Sequence, residues 1–326
     1  MTSKYSKLRI ERWKNRASAA VAGVAVLSVA ENASAAPATL PLNITAGGAK
    51  WFLSNSTSAT GGSGGLGITD ATLLSPSRSD AYDGAFCIIV NGIQFQDPTG
   101  TVDLTGTTLT SNTQVISGLN VSEQYFFDTA TPTVRLLVSF QNPTASPISA
   151  TVLWGNNLGS DNGTTVFTSS SGDTVVTPAD RWFISWDGNP TGDPVLSFVA
   201  FGSGASVTPS ATPRPPGPNA GLFTDQFNIN VPAGQTRRLM LFGRLSTSTA
   251  SAQSSITTFN STANLQSAGL LAGLTPQQES EIVNWAFGSA PGPVPISGTF
   301  NLLVLGLLFL AAGAKAKSWL AAFRQP

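Results

Sequence analysis

The stretch TVRLLVSFQNPTASPISATVLWGNN, residues 133–157, decides the fold class of this 326-residue chain. Two runs rich in β-branched and aromatic residues flank a polar segment that contains Asn142-Pro143 and Pro147. Such runs, bounded by turn-forming residues, are typical of β-strands. The stretch therefore predicts two strands joined as a hairpin-like unit. FNINVPAGQTRRLMLF (227–242), which turns at Pro232-Ala233-Gly234, predicts a second unit of the same kind.

Similar short runs recur along the body of the chain and predict an all-β fold. Examples are AFCIIVNG (85–92), QYFFDTA (124–130) and PVLSFVAFG (194–202). Their number and spacing favour one large, multi-stranded antiparallel β-sandwich over residues 36–260. The Pro/Gly-rich segment 202–221 is interpreted as a long loop inside this domain, because strand-like runs continue on both of its sides. A boundary between two separate cores is the alternative.

Helical signals follow the sandwich, in a segment predicted for residues 261–288. In TPQQESEIVNWAFG (275–288), Thr275 is a candidate N-cap and Gln278 completes a capping box. The pattern predicts a short helix over 275–287. Four apolar residues are expected to dock this segment on the sandwich: Leu274, Ile282, Val283 and Trp285.

Charge and residue usage exclude several function classes. Between Ala36 and Pro293 the chain carries 8 Lys and Arg against 15 Asp and Glu, an acidic balance that argues against nucleic-acid binding. The chain contains no histidine, which excludes Ser-His-Asp triads, Cys-His systems and His-containing zinc sites. Its one cysteine, Cys87, allows no disulfide within the chain and is interpreted as a buried strand residue.

The N-terminal residues 1–35 are typical of a signal peptide. Six basic residues among the first 16 precede the apolar run ASAAVAGVAVLSVA (17–30). Ala33 and Ala35 then form an A-x-A cleavage signal, which predicts removal of residues 1–35 by signal peptidase.

An apolar run near the C-terminus predicts a transmembrane helix with a basic tail. Residues 289–295 form a Pro-rich linker, and the predicted membrane segment with its tail covers 296–326. Lys315, Lys317 and Arg324 follow the apolar run and are expected on the cytoplasmic side, so that the body of the protein lies outside.

The motif VPISGTFN (294–301), with the apolar helix and basic tail behind it, resembles the C-terminal sorting signals that bacterial exosortases process. It is most similar to the IPTL-CTERM group: Pro295 matches, Val294 replaces isoleucine, and Phe300 stands at the aromatic position. Ile296 and Ser297 depart from that pattern, and the PEP-CTERM group is the second, poorer match. The resemblance implies an exosortase-like membrane peptidase as partner. It also implies transient residence in the inner membrane, followed by the cell surface or the medium. A simple tail anchor is the alternative.

Parts of the body resemble an uncharacterised extracellular β-domain of bacteria. DAYDGAF (80–86), NPTASPISATV (142–152) and NLGSDNGTTV (157–166) carry this resemblance. It implies an exported β-protein and no particular activity.

Three groups of residues are candidates for binding or chemistry. In RWFISWDG (181–188), Trp182 and Trp186 alternate onto one face, a pattern that suits either a sugar-stacking surface or a packed core. Asp187, Asn189 and Asp193 offer oxygen ligands for Ca²⁺, without the spacing of an EF-hand. Four other acids stand in predicted turns: Asp80, Asp83, Asp161 and Asp173. Carboxylates at such positions accept hydrogen bonds from nearby backbone amides. Two of them facing each other across a cleft would instead suit a glycosidase.

These observations predict a structural or adhesive protein of the cell surface or extracellular matrix, with no enzymatic activity. No cofactor is expected, with Ca²⁺ as the one alternative. Two other functions stay open. A carbohydrate-binding module on surface polysaccharide requires an exposed Trp182–Trp186 strip, and a carboxylate-dependent glycoside hydrolase requires two acids facing across a cleft.

Overall fold

The two strands of the 133–157 stretch lie in opposite sheets of a two-layered β-structure. The computed structural model describes residues 34–59, 64–189, 191–212 and 221–287. Within these residues, strands β1–β18, numbered in chain order, form a ten-stranded and an eight-stranded sheet, and neighbouring strands pair antiparallel. The prediction of an antiparallel β-sandwich is confirmed to this extent.

The ten-stranded sheet has the order β1-β8-β9-β11-β12-β18-β16-β15-β14, with β10 beside β11. Its strands are β1 (Ala36–Thr39), β8 (Thr101–Thr105), β9 (Thr108–Thr110), β10 (Gln114–Ile116), β11 (Leu119–Phe127), β12 (Thr133–Gln141), β14 (Thr165–Ser169), β15 (Trp182–Trp186), β16 (Val195–Val199) and β18 (Thr236–Ser246).

The eight-stranded sheet has the order β17-β13-β6-β4-β3-β2, with β5 beside β4 and β7 beside β6. Its strands are β2 (Leu42–Ala46), β3 (Ala49–Thr57), β4 (Gly65–Leu74), β5 (Ser77–Arg78), β6 (Tyr82–Val90), β7 (Ile93–Gln94), β13 (Ile148–Leu158) and β17 (Leu222–Val231).

Both predicted hairpin units are wrong, because their strands do not pair with each other. β12 pairs with β11 and β18, whereas β13 pairs with β6 and β17, so residues 142–147 cross between the sheets. Residues 232–235 make the return crossing from β17 to β18. The fully buried Asn142 joins the two crossings: its amide donates to Ser146 O at 2.8 Å and to Val231 O at 2.9 Å.

Aromatic rings from both sheets meet in the core between them. The Phe198 ring of β16 lies 5.9 Å from Trp154 of β13 and 4.8 Å from Phe223 of β17, centroid to centroid. Phe183 of β15 stacks on Phe198 at 5.1 Å. Such contacts contribute beyond the area they bury, so this cluster holds the two layers together.

Short helices cover the outer face of the ten-stranded sheet. They are α1 (Thr249–Ser255), a 3₁₀ turn (Ile256–Asn260), α2 (Thr262–Ser267) and α3 (Pro276–Glu281). A second apolar cluster lies beneath them and includes Leu137, Met240, Phe242, Phe259 and Trp285. This sheet is therefore buried on both faces over much of its area.

The last helix begins as predicted and ends earlier. Thr275 and Gln278 form the capping box, but α3 stops at Glu281 instead of continuing to 287. From Ile282 onward the chain leaves the helix, because Ile282 bridges Arg238 of β18, beyond the part of that strand that pairs with β16. The buried Asn284 amide then accepts from Met240 N and donates to Met240 O and Ala200 O, each at 2.8 Å. Contacts with the distant strand β18 therefore replace the last turns of the predicted helix.

Several predicted segments lie outside the described residues. They are residues 1–33 of the signal peptide with Ala33, the centre of the Pro/Gly-rich loop (213–220), and everything from 288 onward, which includes the sorting motif and the basic tail. By its contacts the chain divides into Met1–Ser34 and Ala35–Pro326, and all strands and helices named here belong to the second unit. No helix in the described ranges has the length and apolarity to span a membrane.

Candidate functional site

The predicted tryptophan strip lies on the outer face of β15, partly under α1. Ile184, between the two tryptophans, is fully buried with Ala252 of α1. Trp182 and Trp186 are half-buried, and Trp186 meets Phe167 edge-on at 6.1 Å. The strip is thus a packed surface with partial exposure. Its role in sugar contact stays a prediction.

The predicted calcium ligands organise the loop between β15 and β16. Asp187 accepts from Asn189 N at 2.8 Å and from Asp193 N at 3.2 Å, while Asn189 accepts from Thr191 N at 3.1 Å. No group of three or more Asp, Glu, His or Cys in the described ranges is arranged to hold a metal ion. These side chains are engaged with their own loop, and calcium binding stays untested.

Acids from both sheets act on one another electrostatically around this loop. Asp70 accepts from Ala71 N and Ala81 N and so positions the segment that leads into β6. The group comprises Asp70, Asp80, Asp83, Asp161, Asp187 and Asp193. Five of its members were predicted only as separate turn residues or loop ligands, because their convergence depends on how the two sheets pack.

Three carboxyl groups of this acidic end of the sandwich hold protons more tightly than usual: Asp70, Asp83 and Asp193. Burial, and then the charges of Asp187, Asp80, Asp161 and Asp70, raise the pKa of Asp193 to about 6. Burial and repulsion also raise the pKa of Asp83, whose side chain hydrogen-bonds that of Asp161.

A pocket of about 390 Å³ lies at the opposite end of β15, around Arg181. Its walls come from the turn before β15 and from the chain after β16, and include Ser170, Ser171, Asp180, Phe201 and Ser203. This size is within the range of small-ligand pockets. The lining combines hydroxyl-bearing residues, two glycines, one cation, one carboxylate and one aromatic ring.

Asp180 fixes the turn that presents Arg181. One carboxylate oxygen accepts from Ser171 N at 2.9 Å and Ser170 Oγ at 3.1 Å, and the other accepts from Thr177 N and Oγ1, each at 2.9 Å. Although burial opposes ionisation, these hydrogen bonds lower the pKa of Asp180 to about 2. The carboxylate is therefore charged at all ordinary pH values and committed to the turn.

Arg181 itself is bound through its backbone and not through its guanidinium. Its N–H donates to Ser170 Oγ and its carbonyl accepts from Ala200 N, each at 2.9 Å. Within the described ranges the guanidinium makes no hydrogen bond or ion pair. A planar cation with five N–H donors therefore faces the pocket free to bind a ligand.

The wall opposite Arg181 depends on the C-terminal segment. Gly202 N donates to Asn284 O at 2.9 Å, and a Cβ at Gly202 would lie 2.3 Å from the Trp285 ring. Only glycine permits this close approach. Asp180 and Arg181 were not predicted as site residues, although they directly precede the predicted Trp182 in the sequence.

A second, more open groove of about 350 Å³ lies on the outer face of the eight-stranded sheet. Five polar residues line it: Asn91, Ser149, Thr151, Asn228 and Asn230. It contains no charged or aromatic side chain. It offers hydrogen bonds without an anchoring group.

No protein-family model matches this sequence, and no functionally described protein matches it by sequence. Solved structures are similar in fold only. A galactose mutarotase-like protein from Lactobacillus casei has 11% identity and a TM-score of 0.40 over 63% of this chain and 99% of that chain. A galactose mutarotase related enzyme from Lactobacillus acidophilus has 8% identity and a TM-score of 0.36 over 64% and 98%. An α-galactosidase from Geobacillus stearothermophilus has 9% identity and a TM-score of 0.37 over 65% of this chain and 41% of the α-galactosidase.

These neighbours overturn two predictions made from the sequence. They are named for enzymes that act on sugars, whereas the sequence analysis predicted a structural or adhesive protein without enzymatic activity. Both predictions are wrong by this comparison. The low TM-scores assign no activity to this chain, so its function must be argued from its own residues.

Proposed function

We propose that this chain is an exported bacterial protein that binds a saccharide in the Arg181 pocket. The observation that carries the proposal is the Arg181 guanidinium, which has no hydrogen bond or ion pair among the described residues and lies in a pocket that serine residues also line. Saccharides present many hydroxyl groups that both donate and accept hydrogen bonds, which matches this lining. The guanidinium favours a saccharide that also carries a carboxylate, because the two groups match in a planar, bidentate pair.

The pocket is rigid enough to select a ligand. Asp180 holds one wall through four hydrogen bonds, and the Gly202–Trp285 contact holds the other. Phe201, 7% exposed, supplies an apolar contact for one face of a sugar ring. A preorganised pocket loses less entropy on binding than a flexible one.

Replacing Arg181 with alanine is expected to weaken binding of a uronic-acid oligosaccharide at least about tenfold, since a charged hydrogen-bonding pair contributes roughly 1.5–3 kcal/mol. Isothermal titration calorimetry against acidic and neutral oligosaccharides measures this. The matched control is Arg237→Ala, which removes the same charge outside the pocket and should leave affinity unchanged. Equal affinities for wild type and Arg181→Ala would contradict the proposal.

The proposal includes export and sorting through the two termini. Strand β1 begins at Ala36, immediately after the cleavage position expected behind Ala35, which supports removal of residues 1–35 without damage to the sandwich. The VPISGTFN motif and basic tail support processing by an exosortase-like peptidase at the inner membrane. The mature protein would then reside at the cell surface or in the medium, where polysaccharide is available.

Mass spectrometry of the native protein tests the sorting proposal. Processing predicts an N-terminus at Ala36 and the absence of peptides from Ser318 to Arg324. Replacing Pro295 with alanine is expected to leave full-length protein in the membrane fraction. Mature wild-type protein that still carries Ser318–Arg324 would identify the tail as an anchor instead.

A second candidate function is hydrolysis of a glycosidic bond at the acidic end of the sandwich. The observation that favours it is the pKa of Asp193, about 6, beside the hydrogen-bonded Asp83 and Asp161. A general acid needs a pKa near the working pH, and a second carboxylate must stay ionised. Asp193 is the candidate acid, and Asp187 is the nearby carboxylate that acts on it most strongly.

The raised pKa of Asp193 predicts a specific pH dependence. Because the folded protein binds this proton more tightly than the unfolded chain, the stability gained from protonation is complete below about pH 4. It is lost as the pH rises through about 6. Asp193→Asn should remove this loss, so that above pH 6 the free energy of unfolding exceeds that of wild type by less than about 1 kcal/mol after solvent screening, with a correspondingly higher Tm.

Melting curves from pH 4 to 8 measure the difference, with the exposed Asp103→Asn as control. In the hydrolase hypothesis, Asp193→Asn also abolishes release of reducing sugar. If Asp193→Asn leaves both the pH dependence of stability and the release of reducing sugar unchanged, Asp193 is not the general acid.

A further inference from the structure

Two arginines and a serine lie in a row on the outer face of the ten-stranded sheet. Arg244 of β18 stands opposite Ser197 of β16 on one side and Thr133 of β12 on the other. Arg135, two residues along β12, is therefore a diagonal neighbour of Arg244. Strand geometry places the Cβ atoms of diagonal neighbours roughly 7 Å apart and those of opposite residues about 5 Å apart. Phe242 lies two residues before Arg244 on β18, so the two side chains are on the same face of the sheet. Phe242 packs under the helices, and this face is therefore the one that the helices cover.

Each of the three side chains has a buried donor without an acceptor. Among the described residues, Arg135 Nε, Arg244 Nε and Ser197 Oγ have no hydrogen-bond partner. Arg135 and Ser197 are 1% and 0% exposed, and Arg244 is half-buried. A buried donor is costly to leave unpaired, so three on adjacent strands require a partner such as water, an ion or a ligand.

Within the described residues neither guanidinium forms a salt bridge. In the described part of the chain the one salt bridge joins Arg238 to Glu281, on another part of the sheet. The remaining N–H groups of Arg135 donate to the carbonyls of Leu270 and Ala272 and to Gln124 Oε1, all of which are uncharged.

Asp128 is the one acid that acts on Arg244 electrostatically, and it is engaged elsewhere. Its carboxylate accepts from Thr131 N at 2.9 Å and from Thr131 Oγ1 at 2.6 Å. Burial lowers the pKa of Arg135 to about 10, so this side chain is still a cation at neutral pH. Buried cations of this kind are normally paired.

We propose that Arg135, Arg244 and Ser197 bind an oxyanion group between the sheet and its helical cover. A carboxylate, sulfate or phosphate oxygen accepts the two guanidinium N–H groups and the serine hydroxyl, and supplies the missing negative charge. The entrance is at Arg244, which reaches solvent. The site is separate from the Arg181 pocket, because Ser197 lies within β16 whereas Phe201 follows its end.

The arginine side-chain N–H resonances report directly on this site. We expect the Nε–Hε signals of Arg135 and Arg244 in ¹⁵N-labelled protein to shift saturably with sulfate, phosphate or glucuronate, with Kd of about 1 mM or tighter. Glucose, which is uncharged, should cause no shift. Tighter binding of glucuronate identifies an acidic saccharide as the source of the group, and tighter binding of the inorganic ions identifies a free anion.

Two variants decide whether these residues form the site. Arg244→Gln is expected to weaken binding at least about tenfold, and Ser197→Ala about threefold without a change of charge, as expected for charged and neutral hydrogen bonds. Arg237→Gln, which removes the same charge from the same strand, should bind like wild type. The proposal is overturned if wild type shows no saturable shift up to about 50 mM of any oxyanion, roughly fifty times the expected Kd, or if Arg244→Gln binds as well as wild type. An effect of Arg181→Ala on saccharide binding bears on the proposed function alone.

Discussion

Asn142→Ala should lower the free energy of unfolding by about 3 kcal/mol and Tm by roughly 6–12 °C. The side-chain amide is fully buried and donates to Ser146 O and Val231 O, while its oxygen accepts from Thr144 N and Oγ1. Alanine would leave the buried carbonyl of Val231 and the carbonyl of Ser146 without this donor, at the point where the chain crosses between sheets in both directions. Chemical denaturation with circular dichroism measures the loss.

Asn120→Ala is the matched control for this prediction. Asn120 lies on β11, and its amide donates to a single partner, Gln141 Oε1, in an exposed position. We expect a change within about 0.5 kcal/mol, as for most surface substitutions. Similar losses for the two variants would show that Asn142 does not join the crossings.

The strand content could be predicted from the sequence, whereas the assignment of strands to sheets could not. Asn142-Pro143 and Pro232-Ala233-Gly234 indicate reversals of the chain correctly, since turn chemistry is local. A reversal within one sheet and a crossing between sheets require the same turn residues. What separates them here is that β12 pairs with β18 and β13 with β17, a choice made by residues about 70–100 positions away in the sequence.

The last helix illustrates the same limit. Its start is determined by Thr275 and Gln278, three residues apart, and is therefore readable from sequence. Its end depends on Arg238 and Met240, whose backbone groups bind Ile282, Val283 and Asn284 in place of the next helical turn. No local signal marks that competition.

The candidate sites were partly visible in the sequence. The stretch RWFISWDG predicted a site on β15. In the structure a pocket lies where β15 begins and the acidic end lies where it ends, roughly 17 Å apart for a five-residue strand. The tryptophans themselves are half-buried, and the free guanidinium beside them is the better anchor. From the sequence alone, Arg181 is equally compatible with an ordinary surface residue. Its role becomes apparent only in the structure, where residues 201–205 form the other wall of the pocket.

Gly47→Ala should destabilise the protein by about 4 kcal/mol or more, enough to prevent folding in a marginally stable domain. Gly47 and Gly48 form the two-residue turn between β2 and β3, and both have positive φ, 60° and 80°. Such turns suit glycine because other residues are strained there. At Gly47 there is a second reason: a Cβ would lie 1.9 Å from Thr131 O and 2.6 Å from Asp128 O.

Gly48→Ala separates these two reasons. A Cβ at Gly48 meets nothing within 4 Å, so alanine there adds only the strain of a left-handed conformation, about 1–2 kcal/mol. Thr131 belongs to the connection between β11 and β12 of the ten-stranded sheet, whereas Gly47 belongs to the eight-stranded sheet. The backbone obstruction at Gly47 therefore forces one sheet to move relative to the other, and its cost should exceed that of Gly48→Ala by at least about 2 kcal/mol. Urea unfolding of the two variants side by side measures this difference, and equal losses would mean that the turn yields without disturbing the packing of the sheets.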